Sequence, residues 1–219
     1  MITINKNGKN FNLIYIKHML HYTNLENVLT HGLLSHNAAY DKKLITKDIS
    51  MSEVQDRRKK KNININGKSI NVHDFVSFYF QPRNPMLYRR KDIQSELIIV
   101  LVNADILKTN ITESKYAIFT DGNAGSDLTK FYTGVDKMKN VDFELLISGS
   151  WNHDDEDIKR ENKRKMCSEV LVYPSIIASE IEKIICPNRR MYDYVLDTIK
   201  KHGDNVKHIE VKIDMKYYF

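Results

Sequence analysis

The sequence has little of what usually marks chemistry at first sight. Its 219 residues include 2 Cys, 4 Pro and 8 Gly. The cysteines, Cys167 and Cys186, are too few and too far apart for a zinc site. Both lie in apolar, strand-like surroundings and read as free buried thiols of a protein in a reducing cytoplasm. So few glycines and prolines exclude collagen-like and low-complexity chains. No window of 18 apolar residues is present, so no membrane span is expected. The opening MITINKNGKN lacks the apolar segment of a secretory signal. Segment 120–125, TDGNAG, has neither the spacing of a dinucleotide-binding turn nor the Lys-Ser/Thr of a P-loop, and HExxH and GxSxG do not occur. The run His153, Asp154, Asp155, Glu156, Asp157 suits a charged loop better than a metal site, and no metal is expected.

What is present suits a folded α+β protein. Hydrophobic residues make up 42% of the chain, enough for a sizeable core. Lys and Arg number 34 against 28 Asp and Glu, a net charge of +6, which favours an anionic partner, nucleic acid before membrane.

In chain order, residues 11–16 read as a strand. Thr23 with Glu26 then forms a capping box for a short helix that Gly32 stops. Residues 36–73 are polar; they hold the run Arg57, Arg58, Lys59, Lys60, Lys61, which reads as a solvated loop or as a mobile basic loop touching phosphates, and an Asn66-Gly67 turn between Ile63, Ile65, Ile70 and Val72, a hairpin signal. Residues 74–80, DFVSFYF, read as an aromatic strand. Pro82 and Pro85 then forbid regular structure and fix a loop carrying Arg83, Tyr88, Arg89, Arg90 and Lys91, a mixture suited to single-stranded nucleic acid. Residues 96–102, ELIIVLV, are a central strand; 127–132 are ambiguous and 142–147 a short helix. The charged run 152–165 is expected to be exposed. Residues 177–186 form an apolar element, Arg189 to His202 an amphipathic helix, and 206–213 a last strand with Ile209, Val211 and Ile213 inward. No linker divides the chain, so one domain over residues 1–219 is expected, built on a mixed or antiparallel sheet that is split or strongly bent.

One stretch organises the rest. Residues 165–174, KMCSEVLVYP, read as a buried strand with Cys167, Glu169, Leu171 and Tyr173 on one face. An apolar strand face solvates a carboxylate poorly, so Glu169 needs an ion-pair partner or a task.

Four motifs in order resemble the DarT family, toxin enzymes that ADP-ribosylate DNA bases with NAD. They are His21-Tyr22-Thr23-Asn24-Leu25 with Gly32-Leu33-Leu34-Ser35; Phe75 through Tyr88, FVSFYFQPRNPMLY; Phe119-Thr120-Asp121-Gly122; and Cys167-Ser168-Glu169-Val170-Leu171-Val172. The second is long enough to be specific. Ser77 stands where the family usually has Pro, and Cys167-Ser168 where it has Gln-Ala.

The resemblance implies an ADP-ribosyltransferase-like fold, two small packed sheets around an NAD cleft. It implies Glu169 as the catalytic carboxylate, His21 on the NAD ribose, Asn24, Gly32 and Leu33 in the NAD pocket, and a functional Arg, Arg58 before Arg57. NAD is then a co-substrate, with single-stranded DNA the acceptor, gripped by Arg83, Tyr88, Arg89, Arg90 and Lys91, and thymidine the favoured base. A macrodomain antitoxin of the DarG type is the implied partner. Alternatives are a guanosine-, RNA- or protein-directed transferase, or a non-catalytic single-strand-binding module that neither consumes NAD nor depends on Glu169.

Overall fold

Residues 1–108 and 116–219 are described by a computed structural model. An N-terminal hairpin, β1 (Ile2–Lys6) and β2 (Lys9–Leu13), leads into β3 (Tyr15–His21), α1 (Leu25–His31), β4 (Leu33–Leu34) and α2 (His36–Asp41). Then come α3 (Ser52–Lys59), a hairpin of β5 (Asn62–Ile65) and β6 (Lys68–Asn71), β7 (Val76–Tyr79) and α4 (Pro85–Arg89). The middle holds β8 (Leu97–Asn103), β9 (Tyr116–Thr120), β10 (Phe131–Thr133), α5 (Phe143–Ser148) and α6 (Glu156–Met166). The chain ends with β11 (Glu169–Tyr173), β12 (Ser175–Ile176), β13 (Ile181–Cys186), α7 (Arg189–His202) and β14 (Glu210–Ile213).

Eight strands run in the order β10-β9-β11-β7-β3-β8-β13-β14, antiparallel except for β13 with β14. The sheet is split at its middle. β3 pairs with β8 along its whole length but meets β7 at one position, Lys17 opposite Tyr79. The split agrees with the divided sheet read from the sequence, and its two halves correspond to the two small sheets that the resemblance implies. Side chains do the stitching that backbone does not. Lys17 Nζ donates to the Phe80 carbonyl (2.8 Å) and His18 Nδ1 to that of Ser77 (2.7 Å). Burial lowers the Lys17 pKa to about 8, and it lowers that of His18 despite the Ser77 bond.

The unbroken apolar run of β8 is explained by cover on both faces. Ile98, Val100 and Val102 join a core that includes Leu25 and Leu29 of α1 and Met191, Val195 and Ile199 of α7. Leu97, Ile99 and Leu101 face Leu87 of α4 and Tyr218 on the other side. A smaller core under the β5–β6 hairpin gathers Ile63, Ile65, Val72, Phe75 and Leu171.

Several local expectations change. Helix α1 has Asn24 at its N-cap with no side-chain cap bond; the preceding 3₁₀ turn, Tyr22–Asn24, is capped by His21. The Thr23 hydroxyl is engaged by His21 Nδ1 instead of a helix N–H. The Arg57–Lys61 run belongs largely to α3 rather than to a mobile loop. The Pro82–Pro85 stretch does enter a helix. Pro85 begins α4, where its missing N–H loses no bond, and Asn84 accepts from Met86 N and Leu87 N. Residues 152–165 include most of α6, capped by Asp155. Its Arg164 turns inward to Asp121 (3.0 Å). Met166 ends that helix, so the strand starts at Glu169 rather than at Lys165. Ile213 lies exposed on the edge strand β14 rather than inward.

Candidate active site

Where β3 and β7 part, a cavity of about 260 Å³ opens against α3. The resemblance implies a pocket of His21, Asn24, Gly32, Leu33, Arg58 and Glu169; all but His21 line this cavity. Glu169 begins β11 opposite Tyr79 of β7 and is 1% exposed. Its Oε1 accepts from the Ala124 N–H (2.8 Å) and Arg58 Nη1 (3.0 Å), and its Oε2 from the same Nη1 (2.8 Å). Its backbone N–H donates to Thr120 Oγ1 (2.8 Å), which donates to the Gly122 carbonyl (2.7 Å). The small-residue loop after β9 therefore comes close in order to hold the carboxylate.

Arg58 is 7% exposed and reaches inward from α3; Arg57, one residue earlier, points to solvent. Arg58 Nη2 donates to Ser77 Oγ, so the serine that replaces the usual proline anchors the guanidinium. Burying a carboxylate is costly unless it is paired, and here a guanidinium and a backbone N–H supply the partners. The neighbouring Tyr79 phenol has its pKa raised well above 10, by burial and then by the Glu169 charge. Burial likewise pushes the Cys167 and Cys186 thiols up to about 12, and both are free. These are packing thiols, not nucleophiles.

His21 is buried at the end of β3 but stands just outside the cavity wall. Its Nε2 donates to Glu96 Oε2 (3.0 Å), and its Nδ1 faces the Thr23 hydroxyl (2.8 Å). Lys47 joins the same Glu96 oxygen. Asn24 fastens the wall: its Nδ2 donates to Lys47 O and its Oδ1 accepts from Thr46 N and Lys47 N.

The cationic segment 83–91 divides by role. Arg83 lies over the Phe219 ring (4.8 Å) and Lys91 over Tyr88 (4.9 Å), with Tyr88 itself exposed. Arg89 Nη1 approaches Met51 Sδ (3.3 Å). Arg90 is engaged by the carbonyls of Ile49 (2.8 Å) and Ser50 (2.6 Å), both on the cavity rim. The residues missed from sequence are Gln55, His73, Ser77 and the Ala124 N–H. Single polar residues on a helix, a turn and a strand carry no spacing signal. Only the small-residue character of TDGNAG hinted at close approach. Among the described residues no cluster of His, Cys, Asp and Glu could hold a metal ion, and no helix is long and apolar enough to cross a membrane.

The chain is similar to several known proteins. A DNA ADP-ribosyl transferase of Thermus sp. (strain 2.9) is 28% identical over 195 residues, 85% of this chain and 87% of the relative. A DNA ADP-ribosyl transferase–DNA ADP-ribosyl glycohydrolase fusion protein of Thermosipho africanus is 29% identical over 94% of this chain, which spans 49% of that protein. The fold matches that of Thermus sp. 2.9 DarT in complex with ADP-ribosylated ssDNA, with a TM-score of 0.81 at 24% identity, covering 94% of this chain and 97% of the other. The sequence pattern of DarT, described as ssDNA thymidine ADP-ribosyltransferase, matches residues 17–219. The chain belongs to the DarT family.

Proposed function

We propose that this protein transfers ADP-ribose from NAD to the thymine base of thymidine in single-stranded DNA and releases nicotinamide. The observation that carries this reading is the Glu169 carboxylate, buried at the cavity wall and held by Arg58 and the Ala124 N–H. When the nicotinamide–ribose bond breaks, nicotinamide leaves with the bonding pair and the ribose becomes an oxocarbenium-like cation. A fixed carboxylate beside that ribose stabilises the sugar cation more than the ground state, in which the positive charge lies on the nicotinamide ring. Glu169 Oε2 accepts one bond among the described residues, which leaves lone-pair capacity for ligand. The base nitrogen then attacks the cationic carbon, and Glu169 takes its proton as general base. Arg58 and Ala124 hold the carboxylate oriented, and Arg58 is the cation nearest the reacting groups.

A target base must be unstacked to enter such a cavity, which favours single strands. Arg83, Tyr88, Arg89 and Lys91 on the surface of and beside α4 are proposed to take the flanking strand. The structures of Thermus sp. 2.9 DarT in complex with NAD+ and with ADP-ribosylated ssDNA support both substrates. The fusion protein in Thermosipho africanus supports a toxin role, opposed by a DarG-like macrodomain partner that removes the mark. Residues 1–219 are read as one domain because β3, from the start of the chain, pairs with β8, and β8 with β13 from its end. The two free thiols support a reducing, cytoplasmic setting. Mass spectrometry of short oligonucleotides incubated with protein and NAD tests the reading. Addition of one ADP-ribose to thymidine-containing strands is expected. Modification of guanosine alone, or of RNA or protein instead, overturns the thymidine assignment.

A further inference from the structure

Among the described residues, two buried side-chain polar atoms have no hydrogen-bond partner, Gln55 Oε1 and His73 Nε2. Both residues line the same cavity. Buried polar groups in folded proteins are nearly always satisfied, and an exception at a cavity wall points to a partner that arrives with the ligand.

Neither residue is loosely placed. His73 sits in the 3₁₀ turn Val72–Asp74, whose entry is fixed by Asn71 Oδ1 accepting from His73 N (2.9 Å) and by Val72 N donating to Lys61 O (2.9 Å). Its ring packs on that of His36, with centroids 4.3 Å apart. Gln55 lies on α3 three residues before Arg58, hence on the same helix face. Arg58 in turn holds Glu169. The unpartnered atoms therefore belong to residues that line the same cavity as the carboxylate on which the proposed reaction depends.

Their chemistry is specific. The Gln55 amide is uncharged. Burial, then His36 and Arg58, lower the His73 pKa to about 4, so its ring is neutral near pH 7. Two neutral groups are poor partners for a phosphate, for which Arg58 is the better match. They suit a planar edge that presents an N–H beside an acceptor.

We propose that Gln55 and His73 form a subsite that binds such an amide-type edge beside the reacting ribose. Two substrates carry one there: the carboxamide of the nicotinamide in NAD, and the edge of the target base. The inference rests on the transfer reading above, and its test separates the two.

Gln55→Met and His73→Phe keep side-chain volume and remove the polar atom; His73→Phe also keeps a ring against His36. Each is compared with wild type by unliganded melting, by melting shifts with NAD and with a thymidine-containing oligonucleotide, and by kcat and KM for each substrate. Removing an orphaned atom leaves unliganded stability equal or higher. In the same variants KM for one substrate rises about tenfold or more, with kcat less affected, and that ligand's melting shift shrinks. A change confined to NAD assigns the subsite to nicotinamide; one confined to the oligonucleotide assigns it to the base. His73→Gln, which restores a neutral hydrogen-bonding group, recovers part of the loss. The variants are scored separately, so one that folds suffices. If both substrates keep KM and melting shift within about twofold of wild type in a folded variant, the subsite is refuted. An inactive wild type that still shows ligand shifts refutes the transfer reading and leaves the subsite to be judged on those shifts.

Discussion

At the scale of single residues, the site depends on how three charges and near-charges are kept in a buried wall. Glu169→Gln keeps the shape and the acceptor for Ala124 but removes the negative charge. Transfer is expected to fall by about 100-fold or more, while the protein stays folded. Near-wild-type product from a folded Glu169→Gln protein contradicts the assignment. Arg58→Ala should lose activity to a similar degree and also about 3–5 kcal/mol of stability, because it strands a carboxylate that is 1% exposed. Arg57→Ala, at a solvent-facing position, should change neither by more than about 0.5 kcal/mol. His73 supplies a pH signature. Its folded pKa of about 4 lies below its ordinary 6.5, chiefly through burial, with His36, Arg58 and Lys59 opposing the cation and Asp74 favouring it. Between those values the unfolded chain binds a proton that the folded chain does not. This contribution to stability is complete above pH 6.5 and is lost as pH falls toward 4, at up to about 1.4 kcal/mol per pH unit. Urea unfolding of His73→Phe against wild type across that range should show a shallower slope in the variant. Equal slopes would exclude a neutral, buried His73.

At the scale of elements, much was legible and the exceptions have physical causes. The helix Arg189–His202, the β5–β6 hairpin and the strand at β8 follow from periodicity and turn chemistry alone. The positive φ of both Asn66 and Gly67 is what a two-residue hairpin turn demands. Helix α4 was hidden because Pro82 and Pro85 look like breakers, yet a proline in the first turn with an Asn cap is a start signal. Helix α3 was hidden because its charged residues show no apolar stripe; its inward polar residues include Gln55 and Arg58, which no hydrophobic pattern reveals. The resemblance puts Arg58 before Arg57 without a physical reason; on the helix one residue turns the side chain by about 100°, which buries Arg58 and leaves Arg57 exposed. Gly32 shows how an element boundary becomes a cavity wall. It closes α1 at φ +80° and ψ −178°, a region open to glycine alone. A Cβ there would lie 2.2 Å from the Ile176 carbonyl, across the β4–β12 pair. Gly32→Ala should therefore cost at least about 2 kcal/mol and raise KM for NAD, because Leu33 and Leu34 line the cavity beside it. Chemical denaturation and NAD kinetics check both parts; an unperturbed Gly32→Ala protein would mean that this wall yields more easily than its backbone contacts imply.

At the scale of the whole molecule, the charge is a modest excess of +6, so affinity for DNA must come from where cations are placed rather than from how many there are. The segment 83–91 concentrates four of them, but they are not equivalent. Arg83, Arg89 and Lys91 are exposed, whereas both ends of the Arg90 guanidinium donate to carbonyls of Ile49 and Ser50. A cation that meets a phosphate releases counterions, so the logarithm of affinity for a single strand falls with log salt by about 0.7 per contact. Alanine at Arg83, Arg89 or Lys91 should lower oligonucleotide affinity and flatten that slope by about 0.7 each, with KM for NAD unchanged. Arg90→Ala should do the opposite. It frees the rim segment 49–50, so KM for NAD rises and the salt slope stays as in wild type. Oligonucleotide binding by anisotropy over a salt series, paired with NAD kinetics, separates the two patterns. A slope lost at Arg90 but kept at the other three would place the strand along the cavity rim instead of across the face of α4.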